Sequence, residues 1–190
     1  MDAFAKEKGY EFEYQPYPVT QLYAQFVEQK VDFKIPDNTM WAQDMKKGKS
    51  VVYSQSVIGY IDGVSVKKEN KGKGLPALKV LGTVRGFTAW DYLGQIKDGK
   101  VILLENNDVP SLIEMANLGR VDGVYFNIKV LENALTASMK RTLIFDEGLP
   151  HTKSTYHLST IKYPIIVKEF DEFLKNNPAL VNQIKIKYGL

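Results

Sequence analysis

The chain has 190 residues and a formal net charge of +3, a length sufficient for one large domain or two small ones, each with a buried core. Hydrophobic residues make up 44% and charged residues 25%, a composition typical of globular rather than disordered proteins. The small positive excess disfavours a nucleic-acid partner, because such proteins concentrate far more positive charge.

The sequence has no cysteine and two histidines, His151 and His157. The lack of cysteine excludes disulfides, thiolate zinc sites, iron–sulfur clusters and a cysteine nucleophile. Two histidines six residues apart neither build a three-histidine metal site nor share a helix face, and we interpret them as surface residues. No nucleophile elbow or phosphate-binding loop occurs. The residues therefore predict no enzyme and no cofactor.

No apolar run approaches the roughly 18 residues that a membrane-spanning helix requires. Charged residues interrupt the first 13 positions, which excludes the apolar core of a signal peptide there. We therefore expect no membrane insertion and no export signal within this sequence.

The first part of the chain alternates helix and strand. Residues 1–8 are predicted to form a helix that ends at Gly9, and the apolar–polar alternation over 11–17 predicts a strand. Apolar residues at helical spacing predict a helix over 19–27, and a strand follows at 31–35. This order predicts a parallel sheet with crossover helices.

A strand is expected over 57–67, and a charged segment without apolar residues follows it up to Gly74. We interpret this segment as a linker between domains. Its Gly72-Lys73-Gly74 has the outline of a dinucleotide-binding turn, but Pro76 and the absence of a helix directly after it favour the linker.

Strand–helix alternation resumes after the linker and continues to the end of the chain. Asp108 is predicted to cap a helix that ends before Gly119. The expected strands are 79–85, 101–105 and 121–126, with a last strand from about 154; the expected helices are 89–97, 109–118 and 128–137, with two more from Pro164 and Pro178. These elements predict two α/β lobes.

Two local patterns in the second lobe suggest ligand contacts. Thr88 and Asp91 resemble a capping box behind Gly86, and a helix start of this kind presents N–H groups to an anion, or Thr88 is only a cap. Asp122 precedes an apolar strand and points into a ligand crevice, or it pairs with Arg120 or solvent.

Three segments in this order resemble the periplasmic solute-binding proteins of bacterial amino-acid uptake systems. They are Val31-Asp32-Phe33 with the later Val51-Val52-Tyr53-Ser54-Gln55-Ser56, then Gly82-Thr83-Val84-Arg85-Gly86-Phe87-Thr88, and Leu118-Gly119-Arg120-Val121-Asp122-Gly123. The stretch from Ile184 to Gly189 is similar to the last helix of that family. The resemblance spans essentially the whole chain.

The resemblance implies an α/β, two-lobed, type II periplasmic-binding-protein-like fold. Each lobe would be a mainly parallel sheet flanked by helices, and a two-strand hinge would join the lobes around a ligand cleft. Lobe 1 would comprise residues 1–66 and 155–190, and lobe 2 residues 67–154.

The resemblance also implies the ligand-binding residues. Asp122 would hold a ligand cation, and the amides around Gly86, Phe87 and Thr88 would hold an anion. The family's lobe-one loop often carries an arginine for the ligand carboxylate. That arginine is missing here, and Arg85 is the nearest substitute. Lobe 1 would add polar contacts and a stacking face from Asp37, Asn38 and Trp41.

The family begins with a strand that carries an aromatic ligand platform, whereas Met1 of this sequence already lies in the following helix. The resemblance therefore implies an N-terminal truncation that removes a central strand of lobe 1 and any signal peptide. A sheet with such a gap exposes strand edges, so exchange of strands in a homodimer is one expected outcome.

The leading functional hypothesis is a non-enzymatic, periplasmic receptor that delivers an amino acid or related small carboxylate to an ABC-type permease. A ligand-sensing input domain of a signalling protein is the alternative. A dehydratase-like enzyme on the same fold is a further alternative, and so is a degenerate relative that binds no ligand.

Overall fold

A computed structural model describes residues 1–137 and 142–189, which fall into two compact units. Unit 1 is Met1–Gly59 with Thr155–Leu190, and unit 2 is Tyr60–Ser154. The α-helices are α1 Asp2–Lys8, α2 Val19–Val27, α3 Gln43–Lys46, α4 Leu93–Lys97, α5 Val109–Asn117, α6 Ile128–Ala137, α7 Pro164–Asn176 and α8 Pro178–Lys187. The strands are β1 Phe33–Asp37, β2 Val52–Tyr53, β3 Ile58–Lys67, β4 Val80–Val84, β5 Ile102–Asn106, β6 Gly123–Asn127, β7 Leu143–Phe145 and β8 Thr152–Thr160.

Unit 1 is built around β8, which pairs antiparallel with both β1 and β2. Its core is aromatic: Phe4 of α1 is fully buried against Phe170 and Phe173 of α7. The ring centroids of Phe4 and Phe170 are 5.2 Å apart in an edge-to-face arrangement. Helices from both ends of the chain therefore close one core.

Unit 2 has a mixed sheet in which β4 lies between two parallel neighbours, β5 and β6, while β3 runs antiparallel to β6 and β7. Successive residues of β6 point to opposite faces of the sheet. Val124 joins an apolar cluster with α5 and α6, and Tyr125 joins a second cluster with Val64 and Leu81. The sheet is thus covered on both faces.

The fold class expected from the sequence is confirmed, and helices occur where apolar stripes predict them, as at α2 and α6. Asp108 caps α5 as predicted, because its carboxylate accepts a hydrogen bond from the Ser111 amide at 2.8 Å. The sequence interpretation does not anticipate α3, β2 or β7 as elements.

Two expectations about the sheets are wrong. Residues 11–17 have no regular secondary structure, so their alternating pattern does not form a strand in the described part of the chain. The strand pairs of unit 1 are antiparallel rather than parallel, because β8 returns from unit 2 to lie beside β1 and β2.

The charged segment over 67–74 is a folded part of unit 2 rather than a linker. The Gly72 amide donates to Asp146 at 2.8 Å, and Lys71 forms an ion pair with Glu147 at the same distance. The chain passes from unit 1 to unit 2 at Gly59–Tyr60, within β3, and returns at Ser154–Thr155, within β8. The first passage lies seven residues before the expected boundary at 66–67.

Within residues 1–137 and 142–189, no helix has the length and apolar character needed to cross a lipid bilayer.

Candidate functional site

Three polar side chains lie in a row where the central strands of unit 2 end. Parallel β4 and β6 are paired at Leu81–Gly123 and Gly82–Val124; Arg85 directly follows the end of β4, and Asn127 is the last residue of β6. On the other side of β6, Asp62 of β3 is directly opposite Asn127. The carboxyl ends of parallel strands are where open α/β sheets bind ligands.

Asp62 is the buried acid of this row, with 2% of its surface exposed. The Asn127 side-chain amide donates to its carboxylate at 3.4 Å. The pKa of Asp62 is raised to about 7, mainly by burial; the Asn127 hydrogen bond opposes the shift and the Asp91 charge adds to it. The carboxyl group is therefore poised to exchange its proton near neutral pH.

Asp91 lies close enough to Asp62 for its charge to raise the pKa of that carboxyl group, and it is held by two hydroxyl groups. The Tyr125 hydroxyl donates to it at 2.7 Å and the Thr152 hydroxyl at 3.0 Å. The capping box expected from Thr88 and Asp91 is not formed, because a 3₁₀ turn over Trp90–Tyr92 starts here without a side-chain cap. Asp91 instead binds residues distant in the sequence.

The turn after β4 carries the predicted residues Gly86, Phe87 and Thr88. Gly86 has φ 82°, a left-handed conformation that favours glycine. The amide of Gly86 donates to Glu105 at 3.3 Å and that of Phe87 to Val84 at 2.9 Å, so both are used within the protein. Thr88 and Arg85 are exposed beside them. The structure thus brings Arg85, Gly86, Phe87 and Thr88 together.

Asp122 lies at the opposite end of β6. Its carboxylate accepts hydrogen bonds from the amides of Lys79 and Val80, both at 2.8 Å, and it thereby organises the start of β4. It is level with Val80, five residues from Arg85, which corresponds to about 16 Å along the strand. The structure therefore does not bring Asp122 together with the other predicted residues of unit 2.

In unit 1, Asp37 is fully buried within an ion-pair cluster. Its carboxylate accepts hydrogen bonds from Lys46 at 2.9 Å, Lys34 at 3.2 Å and the Ser159 hydroxyl at 2.6 Å. Burial lowers the pKa of Lys34 to about 8, although the Asp37 charge opposes this shift. Asp37 therefore neutralises buried lysines, a role that does not require a ligand.

Asn38 and Trp41 follow β1 in the same loop. The Asn38 side chain donates to the Thr155 carbonyl at 3.0 Å and accepts from the Met40 amide at 2.9 Å, so it fixes the loop. The half-buried Trp41 ring lies 5.8 Å from Tyr156. The Lys34 ammonium lies 5.3 Å from the centroid of the same ring, so Trp41 already makes ring contacts within unit 1, and its role as a stacking face for a ligand stays a prediction.

The sequence interpretation did not single out Asp62, Asn127, Lys34 or Lys46. Asn127 had a usable signal, because it is the polar residue that ends the apolar strand Val124–Phe126, at the carboxyl end rather than at the start where Asp122 lies. Asp62 and the two lysines had no signal of this kind, since their burial depends on partners that are remote in sequence.

The histidines are half-buried rather than on the surface. A ring nitrogen of His157 lies 2.8 Å from the Ser54 carbonyl, and one of His151 lies 3.0 Å from the Leu149 carbonyl. Among the described residues, no three histidine, aspartate or glutamate side chains are grouped as a metal site.

Solved structures with the same fold include proteins that bind amino acids. The GluR0 ligand-binding core in complex with L-glutamate is 14% identical, with a TM-score of 0.78 over 98% of this chain and 85% of that chain. The arginine-, lysine-, histidine-binding protein ArtJ from Geobacillus stearothermophilus is 19% identical, with a TM-score of 0.71 over 100% and 83%. The substrate-binding protein of an amino acid ABC transporter is 20% identical, with a TM-score of 0.76 over 98% and 83%.

No protein-family model matches the sequence, and no curated protein matches it. The structural similarity nevertheless extends over almost the entire chain. The chain therefore has the periplasmic-binding-protein-like fold that its sequence motifs predict.

Proposed function

We propose that this protein binds a small polar solute that carries both a cationic and an anionic group, such as an amino acid. The observation that carries the proposal is the row formed by Arg85 and Asn127, at the carboxyl ends of β4 and β6, and Asp62 of the antiparallel β3, which is paired with Asn127. A guanidinium and a carboxylate on either side of an amide match the two charges of a zwitterion.

Each residue of the row has a distinct task in this proposal. Arg85 is exposed, and its planar guanidinium binds the ligand carboxylate through two parallel hydrogen bonds. Asp62, when ionised, accepts hydrogen bonds from the ligand ammonium, and the Asn127 side chain orients the Asp62 carboxylate. The Phe87 ring, 4.6 Å from Phe126, supplies an apolar surface beside Arg85.

The biological role that we propose is solute capture, without catalysis, for an ABC-type uptake system outside the cytoplasm. The amino acid ABC transporter protein with the same fold supports this role. The permease and the periplasmic location are parts of this proposal.

Calorimetric titration with a panel of amino acids and small carboxylates tests the proposal. The protein is first unfolded and refolded to remove any bound solute. We expect one class of compound to bind, and Arg85→Ala to weaken its binding at least tenfold, about 1.4 kcal/mol. Arg120→Ala is the matched control, because Arg120 is equally exposed but precedes the start of β6. Equal affinity of the two variants, or no binding of any compound by the wild type, would contradict the proposal.

A further inference from the structure

Strand β5 lies at an edge of the unit-2 sheet. In the described part of the chain, β4 is its one strand partner, and the two strands are in parallel register from Val80–Ile102 to Val84–Asn106. That register is regular over the whole of β5, which contains no proline, lysine or bulge. Edge strands usually carry such features, because they prevent association with a strand of another molecule. The outer side of β5 has none of these protections.

The main-chain groups on the outer side of β5 are those of Leu103 and Glu105. The Ile102 amide donates to the Lys79 carbonyl at 2.8 Å, so the main chain of Ile102 faces β4. Main-chain groups of successive strand residues point to opposite sides, and Leu103 and Glu105 therefore face away from β4. In the part of the chain that the structure describes, neither residue forms a main-chain hydrogen bond on that side. Their amides and carbonyls are available to a second strand.

One face of β5 is apolar and largely uncovered. Ile102 and Leu104 lie on the same face, because alternate side chains of a strand share a face, and they are 58% and 37% exposed. Gly82 of β4 is level with Leu104, and a Cβ atom on Gly82 would lie 2.9 Å from Leu112 of α5. Helix α5 therefore packs directly on β4, whereas much of the apolar surface of β5 beside it is exposed.

The charges at the two ends of β5 are complementary to each other. Lys97 and Lys100 are exposed and precede the strand, whereas Glu105 and Asp108 are exposed at its end and just beyond it. Asp98 pairs with Lys100 at 2.9 Å, but both side chains are more than half exposed, and such surface pairs contribute little. An antiparallel copy of the same strand would bring each basic end beside an acidic end.

We propose that β5 pairs with β5 of a second copy of this chain, antiparallel and about a two-fold axis, so that two unit-2 sheets join into one. A two-fold interface uses the same surface on both copies, which requires a surface that is complementary to itself. The open main-chain groups, the exposed apolar face and the opposite charges at the two ends of β5 meet that requirement. None of Arg85, Asn127 and Asp62 belongs to β5, so this inference goes beyond the proposed solute binding and is tested without a ligand.

The available main-chain groups define the register of the pair. When the axis passes beside Leu104, Leu103 of each copy exchanges both main-chain hydrogen bonds with Glu105 of the other. Leu104 then lies opposite Leu104 of the second copy, and Lys100 lies opposite Asp108 of the second copy. A register centred on Leu103 would instead use the Val101 amide, which already donates to the Gln95 carbonyl at 3.2 Å.

Sedimentation velocity of the 190-residue protein, between about 1 µM and about 1 mM, tests whether it dimerises. We expect a dimer in rapid exchange with the monomer, because an edge of five residues makes a small interface. Amide hydrogen exchange measured residue by residue locates that interface. We expect exchange at Leu103 and Glu105 to slow at least about fivefold from dilute to concentrated protein, while Ile102 and Leu104, which face β4, change little.

Two substitutions test the main-chain bonds and the apolar contact separately. Glu105→Pro removes an outward amide without removing a bond to β4, and it is expected to weaken dimerisation at least about tenfold. Glu105→Ala is its control, since it removes the same side chain and keeps the amide. Leu104→Lys places two like charges opposite each other and is expected to weaken dimerisation as much. Its control is Val130→Lys, at an exposed apolar residue of α6.

A charge reversal tests the complementary ends. Lys100→Glu places a like charge opposite Asp108 of the second copy and is expected to weaken dimerisation at least about threefold. Lys68→Glu, at an exposed lysine outside β5, is expected to dimerise as the wild type does. A thermal melt shows that each variant is folded, and Leu104→Lys keeps the test decisive if Glu105→Pro is not.

Three results would overturn the proposal. The first is a wild-type protein that stays monomeric over the whole concentration range. The second is equal dimerisation by each variant and its control. The third is a dimer in which concentration slows exchange in unit 1 rather than at Leu103 and Glu105, because the copies then associate through a different surface, as in an exchange of strands.

Discussion

Asp62 is a carboxyl group whose environment opposes its ionisation. Burial raises its pKa to about 7 in the folded protein, whereas an unfolded aspartate has a pKa near 3.8. Between these two values the folded protein holds a proton that the unfolded chain has released. Rising pH therefore lowers the free energy of unfolding across this window, by at most about 1.4 kcal/mol per pH unit, and the effect ends above pH 7.

Replacement of Asp62 by asparagine removes this titration. We expect Asp62→Asn to have a flatter dependence of unfolding free energy on pH between 4 and 7 than the wild type, as measured by urea denaturation at several pH values. Asp44→Asn, a change at an exposed aspartate, is the control and is expected to retain the wild-type slope. Identical slopes for Asp62→Asn and the wild type would show that Asp62 ionises normally.

The same titration links solute binding to pH. If ionised Asp62 holds the ligand ammonium, affinity rises through pH 7 and levels off about one pH unit above it, because a protonated carboxyl group cannot form the ion pair. We expect the wild type to bind the solute found by calorimetry about fivefold more tightly at pH 7 than at pH 6, and about fiftyfold more tightly than at pH 5, because the ionised fraction of Asp62 falls in that ratio. Asp62→Asn is expected to bind weakly and with little dependence on pH in this range.

At the scale of elements, the side chain of Val64 in β3 packs so closely against Gly123 of β6 that a larger residue at position 123 has no room. A Cβ atom on Gly123 would lie 2.6 Å from Val64 Cγ1 and 3.1 Å from Leu78 Cδ1. Val64 is fully buried and its branched side chain has little freedom to move. We expect Gly123→Ala to lower the free energy of unfolding by about 1–3 kcal/mol, measured by denaturant titration.

Gly94→Ala is the matched control for this substitution. Gly94 lies in α4, and nothing is within 4 Å of a Cβ atom added there. Alanine at this position reduces the entropy of the unfolded chain and favours the helix, so a gain of about 0.5–1 kcal/mol is expected. A Gly123→Ala protein as stable as the wild type would show that β3 shifts to accommodate the methyl group.

Local signals explain which elements the sequence predicts correctly. A window of a few residues is enough to recognise the apolar stripes of α2 and α6 and the Asp108 cap of α5. Whether residues 11–17 form a strand depends on a neighbouring strand with which they can pair. The antiparallel pairing in unit 1 depends on β8, which comes from the later part of the sequence. An alternating pattern favours a strand, but it does not identify the strand with which that segment pairs.

The residues of the candidate site likewise differ in whether a local sequence pattern identifies them. Arg85 and the turn after it follow a recognisable strand end, and the structure places them at the carboxyl edge of the sheet. Asp122 belongs to a recognisable motif, but its carboxylate binds main-chain amides at the other end of β6. Asp62 reaches the edge only because β3 pairs antiparallel with β6, which no local pattern specifies.

At the scale of the whole molecule, unit 2 is continuous in sequence and unit 1 is not. Both apolar clusters of unit 2 are made of residues between Val64 and Leu149. We expect the isolated segment 60–154 to fold cooperatively, with a single thermal transition and a dispersed amide spectrum. Residues 1–59 alone are expected to stay unfolded, because most of the unit-1 core, including Phe170 and Phe173, lies elsewhere in the sequence. An unfolded 60–154 segment would mean that unit 2 depends on unit 1.

This arrangement has a consequence for biosynthesis. The ribosome synthesises all of unit 2 before it synthesises α7, and domains generally fold in the order in which they are made. Phe4 is synthesised before unit 2, and its core cannot close until Phe170 and Phe173 have been made. During that interval Phe4 lacks the aromatic rings that bury it in the folded protein, so folding of unit 1 is delayed until the last part of this sequence is available.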